Sequence, residues 1–240
     1  MDRIRHLLGI DTAATSHHEK WISGIGGFCG ILAIFVSSGL FFEGIDHLLI
    51  VASMGASAVL LFAVPHSPLA QPWNVLVGHV ISAVIGVTCS KWIPNQWLAG
   101  AVAVGGAITA MHYTKSIHPP GGASALVAVV GGDSIQQAGY LYVLQPVALN
   151  ALTIVIAALL YNLPFDWRRY PQALARPPRP VSPGTREAIP HENLVYALSQ
   201  IDSLVDISED DLLEIYELAT GRPHPQKGGA DRRRTSRSPS

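Results

Sequence analysis

Residues 118–125 read His118-Pro119-Pro120-Gly121-Gly122-Ala123-Ser124-Ala125, and their last four repeat an earlier stretch, Gly55-Ala56-Ser57-Ala58, at an offset of 67 residues. One residue further along, Val75-Leu76 aligns with Val143-Leu144 and Ala83 with Ala151. The pattern marks two repeats of about 67 residues, 21–92 and 97–161. Each Gly-Ala-Ser-Ala opens an apolar run, 55–64 and 121–130. As a helix such a run is about 15 Å long, half of a hydrocarbon core of about 30 Å. Pro119 and Pro120 stop helix from forming upstream of the second run, because proline lacks a backbone donor and restricts the residue before it. Short hydrophobic segments interrupted by Gly or Pro at matching places in two halves point to the binding site of a transporter.

Composition sets these runs in a membrane. Of 240 residues 49% are hydrophobic and 14% charged, with the charges crowded toward both ends. That excludes an ordinary soluble domain, and a net charge of −1 gives no reason to expect nucleic acid as a partner. Four stretches, 21–42, 73–92, 97–113 and 140–161, read as full spans with Trp or Tyr at their ends. The expected fold is an all-α membrane protein with four full spans and two short broken or re-entrant helices, six membrane segments in all. If the short segments turn back, each half has two spans and the halves are parallel. If they cross, each half has three and the halves are inverted. The Pro-free run 47–64 favours crossing. Arg3, Arg5 and Lys20 before the first span, and Arg168, Arg169, Arg176 and Arg179 after the last, place both termini in the cytoplasm.

The expected organisation is a cytoplasmic N-terminus (1–20), a transmembrane domain (21–161), a Pro/Arg linker (162–190), an amphipathic helical pair (191–219) and a disordered tail (220–240). In the pair, Leu194, Leu198, Ile201 and Val205 form an apolar stripe. Ser208 is positioned to cap a second helix that begins Glu209-Asp210-Asp211.

Charge narrows the substrate. Between Asp46 and Asp133 there is no acidic residue, yet the same stretch carries Lys91, Lys115, His47, His66, His79, His112 and His118. Cation pathways normally show intramembrane Asp or Glu, so this inventory favours an anion. A helix start presents unpaired N–H groups and about half a positive charge, and small residues let an anion come close. The candidate binding residues are Gly55, Ala56, Ser57, His79, His118, Pro119, Pro120, Gly121, Gly122 and Ser124. Gly122 is expected to be the point of closest approach, and Gly131 at the far end a tolerant position. Taken singly, each Gly-Ala-Ser-Ala fits a helix-packing seam equally well. An intramembrane His is as often a neutral, satisfied core residue as a functional one. His66 reads as a loop residue, and Lys91 and Lys115 as interfacial anchors. No metal or cofactor is expected.

The run Met111 to Ala125, together with Ser53-Met54-Gly55-Ala56-Ser57-Ala58, Pro65-His66-Ser67-Pro68-Leu69-Ala70-Gln71-Pro72 and Gly78-His79, resembles the signature blocks of the HPP family of integral membrane proteins. The resemblance covers roughly residues 15–165. It implies about four spans, and some members of the family are implicated in nitrite transport; the expected location is a bacterial inner (plasma) membrane. Trp73 follows Gln71-Pro72 where many members carry a basic residue, which weakens any expected attraction of an anion at the cytoplasmic mouth.

Three function classes follow. The first is a transporter or channel for a small monovalent anion, nitrite-like, with the lipid bilayer as its setting. The second is an intramembrane serine-type hydrolase using one Gly-x-Ser serine with His79 or His112 as base, although neither copy has Gly after the Ser. The third is a regulatory or structural subunit that forms homo-oligomers or engages a cytoplasmic partner through its C-terminal helices.

Overall fold

The computed structural model describes residues 15–39 and 47–175, and the N-terminus, the linker beyond 175, the helical pair and the tail lie outside the described residues. The described part is all-helical: α1 (His17–Gly39), α2 (His47–Ala63), α3 (Pro72–Trp92), α4 (Gln96–Tyr113), α5 (Pro119–Val130), α6 (Asp133–Ala138) and α7. The first turns of α7, Val143–Ala148, are π-helical around Pro146, and Leu149–Asn162 continues as α-helix. A widened turn absorbs the donor that proline lacks. Among the described residues three helices are long and apolar enough to cross a membrane: His17–Gly39, Pro72–Trp92 and Val143–Asn162. α4 has 18 residues, many of them Ala and Gly, and is not one of these three.

Local chemistry explains the boundaries. Pro72 starts α3 and Pro119 starts α5, each at a first helical position where a missing N–H costs nothing. Asn95 caps α4 by accepting from the Leu98 amide at 3.0 Å. The expectation that Gly55 begins a half-helix is corrected: α2 runs unbroken from His47 to Ala63 with Gly55 in its middle. No proline precedes this copy, and a lone helical glycine costs only about 1 kcal/mol. Only the second copy, α5, is a short helix with an enforced start.

Several hydrogen bonds gather one set of helix ends. Trp73 Nε1 donates to the Thr114 carbonyl at 3.1 Å and Asn74 Nδ2 to that of Ile117 at 2.9 Å. Tyr170, after α7, donates to the Ala70 carbonyl at 2.9 Å. Arg168 pairs with Glu19 at the start of α1 and donates to the Phe62 carbonyl at the end of α2. The opposite ends are joined by Gln96 Nε2, which reaches the Val129 carbonyl at 3.4 Å, and by Lys91, whose Nζ sits 5.2 Å from the Tyr140 ring centre.

Neighbours follow a regular scheme. α1 packs on α2 and α7, while α4 packs on α5 and α3; α2 also touches α5 and α7, and α3 also touches α5 and α7. Exchanging α1 with α4, α2 with α5 and α3 with α7 leaves this scheme unchanged. Two apolar clusters correspond under the same exchange, one around Ile34, Met54, Leu61, Phe62 and Ile154, the other around Cys89, Ala99, Ala103, Ala125 and Val129. Small residues make both possible. A Cβ on Gly26 would stand 2.6 Å from Phe62, and one on Gly30 would also collide with that ring. Large apolar side chains such as Phe28, Val36, Leu144, Leu152 and Leu160 point outward, as lipid-facing positions do.

Candidate functional site

α3 carries Gly78, Ser82 and Gly86 at steps of four, a stripe of small residues on one face that lets another backbone approach. α5 lies along it in the same direction, Gly121 against Gly78 and Ser82, and Ala125 and Ala128 against Gly86. A Cβ on Gly121 would meet the Gly78 carbonyl at 2.8 Å and Ser82 Oγ at 2.9 Å. Gly78 lies six residues inside α3, so α5 starts about 9 Å in from the end of its neighbour.

That depth assembles a polar cluster in an apolar interior. Ser57 from α2, His79 from α3, and His118 and Ser124 from the start of α5 are all completely buried. Ser57 Oγ bridges the two imidazoles, 2.8 Å from His79 Nε2 and 2.9 Å from His118 Nε2. His79 Nδ1 is 2.8 Å from Ser124 Oγ, which is 3.3 Å from Ser53 Oγ. His118 Nδ1 is 2.8 Å from the Leu69 carbonyl, and the rings sit edge to face with centres 4.8 Å apart. Tyr142 donates to the Ser124 carbonyl at 3.0 Å. Ser82 Oγ, fully buried beside the start of α5, has no hydrogen-bond partner. A buried hydroxyl left so costs about 1–3 kcal/mol.

Of the ten expected residues, the structure brings Ser57, His79, His118 and Ser124 into mutual contact, with Pro119, Pro120 and Gly121 holding the helix start beside them. Gly55 and Ala56 belong to the middle turns of α2, where their N–H groups serve that helix. Packing around the glycines is uneven: a Cβ on Gly122 would meet only Val104, at 3.9 Å, whereas Gly121 has no room, and a Cβ on Gly131 would lie 2.5 Å from both Ile135 and the Val127 carbonyl. His66 bonds the Arg169 carbonyl at 3.2 Å, and His112 is exposed, so neither joins the cluster. Trp73 anchors its indole to the Thr114 carbonyl.

Sequence reasoning passed over Ser53, Ser82, Tyr142 and the Leu69 carbonyl. Ser53 stands four residues before Ser57, hence on the same helix face, a signal hidden by reading Gly55 as a helix start. Ser82 was legible as the middle of the small-residue stripe. Among the described residues no three His, Cys, Asp or Glu side chains group so as to hold a metal ion.

The model of the family described as HPP, transmembrane region, matches residues 12–171. Two transmembrane proteins of Dictyostelium discoideum are similar to the chain. One is 35% identical over 190 residues, covering 71% of this chain and 61% of the relative. The other is 37% identical over 153 residues, covering 61% and 53% respectively. The chain thus spans between about half and three-fifths of the length of these relatives. No solved structure matches.

Proposed function

Since this chain belongs to the HPP family of transmembrane proteins, we propose that it carries a small monovalent anion, nitrite or one of similar size and charge, across the membrane. The observation that carries the reading is Ser82: a buried hydroxyl without a partner, beside the start of a short helix that begins inside the bundle. The start of α5 supplies partial positive charge rather than free amides, since Pro119 and Pro120 have no N–H and the Gly121 N–H donates to the His118 carbonyl at 2.8 Å; the free Ser82 hydroxyl is the donor beside it, and no carboxylate between Asp46 and Asp133 opposes an anion. In the described conformation Gly121 and Ser82 are packed together, so this is a closed state in which the site opens when α5 and α3 part.

The exchange-invariant neighbour scheme supports two inverted triplets, α1–α2–α3 and α4–α5–α7. The hydrogen bonds gathering alternate helix ends support six crossings with both termini on one side. Arginines flanking the last helix favour the cytoplasm for that side. The membrane itself is expected to be a bacterial inner membrane.

The test is uptake of labelled nitrite into proteoliposomes, with nitrate, formate and chloride as competitors. Saturable uptake that nitrite-sized anions inhibit and that Ser82→Ala weakens is the expected result. Cation flux as the dominant current would reject the reading.

A second reading has an observation of its own. Ser57 Oγ stands within hydrogen-bond distance of two imidazoles, the geometry of an activated nucleophile. No carboxylate orients either ring, the Leu69 carbonyl and Ser124 taking that place. Labelling of Ser57 by a fluorophosphonate, lost in Ser57→Ala, would favour the hydrolase. No labelling, with flux retained in part by Ser124→Ala, favours transport.

A further inference from the structure

The buried cluster is a single hydrogen-bonded chain: Ser53 Oγ, Ser124 Oγ, His79, Ser57 Oγ, His118 and the Leu69 carbonyl. One end fixes the direction of every bond. A carbonyl can only accept, so His118 Nδ1 bears the proton it donates to Leu69. In a neutral ring Nε2 is then an acceptor, and Ser57 must donate to it. Ser57 therefore receives from His79 Nε2, which leaves His79 Nδ1 as an acceptor for the Ser124 hydroxyl.

One additional proton fits without breaking a bond. It settles on His79 Nδ1, which now donates to Ser124 Oγ, and Ser124 swings its own hydrogen to Ser53 Oγ, 3.3 Å away. A second does not fit on equal terms. With both rings charged, Ser57 would accept from two cations and its hydrogen could turn only to the Ser53 carbonyl at 3.5 Å. The two charges would also lie 4.8 Å apart in an apolar interior. The other titratable groups on the elements packed around the rings are Tyr142, whose hydroxyl is committed to the Ser124 carbonyl, Tyr161, whose hydroxyl donates to the Ile22 carbonyl, Cys89, packed with Ala99, Ala103 and Val129 toward the far end of α3, His47, the first residue of α2, and Lys91, His112 and Tyr113, all at exposed helix ends. No carboxylate from α2, α3, α4 or α5 shares the proton.

We propose that this chain is a one-proton store centred on His79, loaded and unloaded in step with the anion, so that each anion crosses together with one proton and no net charge. The inference rests on the anion reading given above. An anion arriving beside Ser82 and the start of α5 would draw the extra proton onto His79, the neighbouring helix-face position, and each charge offsets the burial cost of the other. No other co-reactant is needed, since water supplies the proton on one side and receives it on the other.

The experiment uses the full-length protein in liposomes, with membrane potential set by potassium and valinomycin and the pH gradient set independently. Labelled nitrite is the probe, and flux in protein-free vesicles is subtracted. Wild type is expected to take up nitrite in response to an inward proton gradient and to ignore the potential. His79→Gln, which keeps a donor and an acceptor but cannot hold the proton, is expected to lose the response to the gradient by at least tenfold. Uptake that follows the potential and ignores the pH gradient overturns the proton store and leaves the anion reading standing, whereas absence of nitrite flux under every gradient takes both down. Nitrogen-15 NMR of the imidazoles provides a readout independent of flux: at pH 8 His118 should be protonated on Nδ1 and His79 on Nε2. The opposite tautomers overturn the store whatever the flux.

Discussion

Arg168 and Glu19, 149 positions apart in the chain, form an ion pair buried inside the protein. Arg168 also donates to Ser23 Oγ at 3.1 Å, Asn162 Oδ1 at 3.2 Å and the Phe62 carbonyl, and Trp167 Nε1 donates to the other Glu19 oxygen at 3.1 Å. Burial pulls the arginine pKa below its ordinary value, and the Glu19 carboxylate pushes it back up. One guanidinium thus ties α1, α2 and the segment after α7 together. Replacing it with Met leaves a buried carboxylate without its cation, a loss of about 3–5 kcal/mol. Arg168→Met should melt far below wild type in detergent, and Glu19→Gln combined with it should recover part of the difference. Unchanged melting of the single variant would deny the pair a structural role.

Glycine substitutions should sort by space rather than by motif. Gly121→Ala drives a methyl into the Gly78 carbonyl and Ser82, and Gly86→Ala into Ala125, so both should destabilise by about 1–3 kcal/mol. Gly122→Ala has room, with only Val104 at 3.9 Å. Gly55→Ala meets nothing within 4 Å and should stabilise by up to about 1 kcal/mol, because alanine is the better helix former. A thermal series on the four variants that failed to separate the first pair from the second would refute the packing described for α3 and α5.

Ser82→Ala should move stability and transport in opposite directions. Removing a buried hydroxyl that has no partner relieves about 1–3 kcal/mol, so the melting temperature should rise. If the hydroxyl contacts the anion, the apparent affinity for nitrite should fall several-fold. A variant that is less stable, or that transports with unchanged KM, would show that Ser82 is only a packing residue.

Tyr142→Phe removes a donor to the Ser124 carbonyl and should cost about 0.5–1.5 kcal/mol. Ser57→Ala should cost more than Ser124→Ala, because Ser57 hydrogen-bonds both rings and Ser124 only one of them. Equal melting of the two serine variants would contradict the bridging role of Ser57.

Much of the helix arrangement was legible because hydrophobic length and proline placement act locally. The start of α5 follows from Pro119 and Pro120, and the starts of α3 and α4 from Pro72 and Asn95. The reading failed at Gly55, where tertiary packing carries α2 through a glycine without local support. His79 and His118 stand out as polar residues in apolar sequence. Their junction through Ser57 depends on three helices meeting and leaves no trace in spacing. Ser82 and the Leu69 carbonyl were harder still, one resembling packing and the other being backbone.

The contact of Gly121 with Gly78 acts as a depth gauge for α5. A methyl-free notch admits one register, and the close approach of Gly86 to Ala125 further along the same two helices holds it. Shifting α5 by a single turn, about 5.4 Å, would carry Ser124 away from His79 and His118 away from Ser57 at once. The most chemically active part of the molecule is therefore set by its least chemically endowed residues, and variants that shift the notch should be mistaken for losses of histidine.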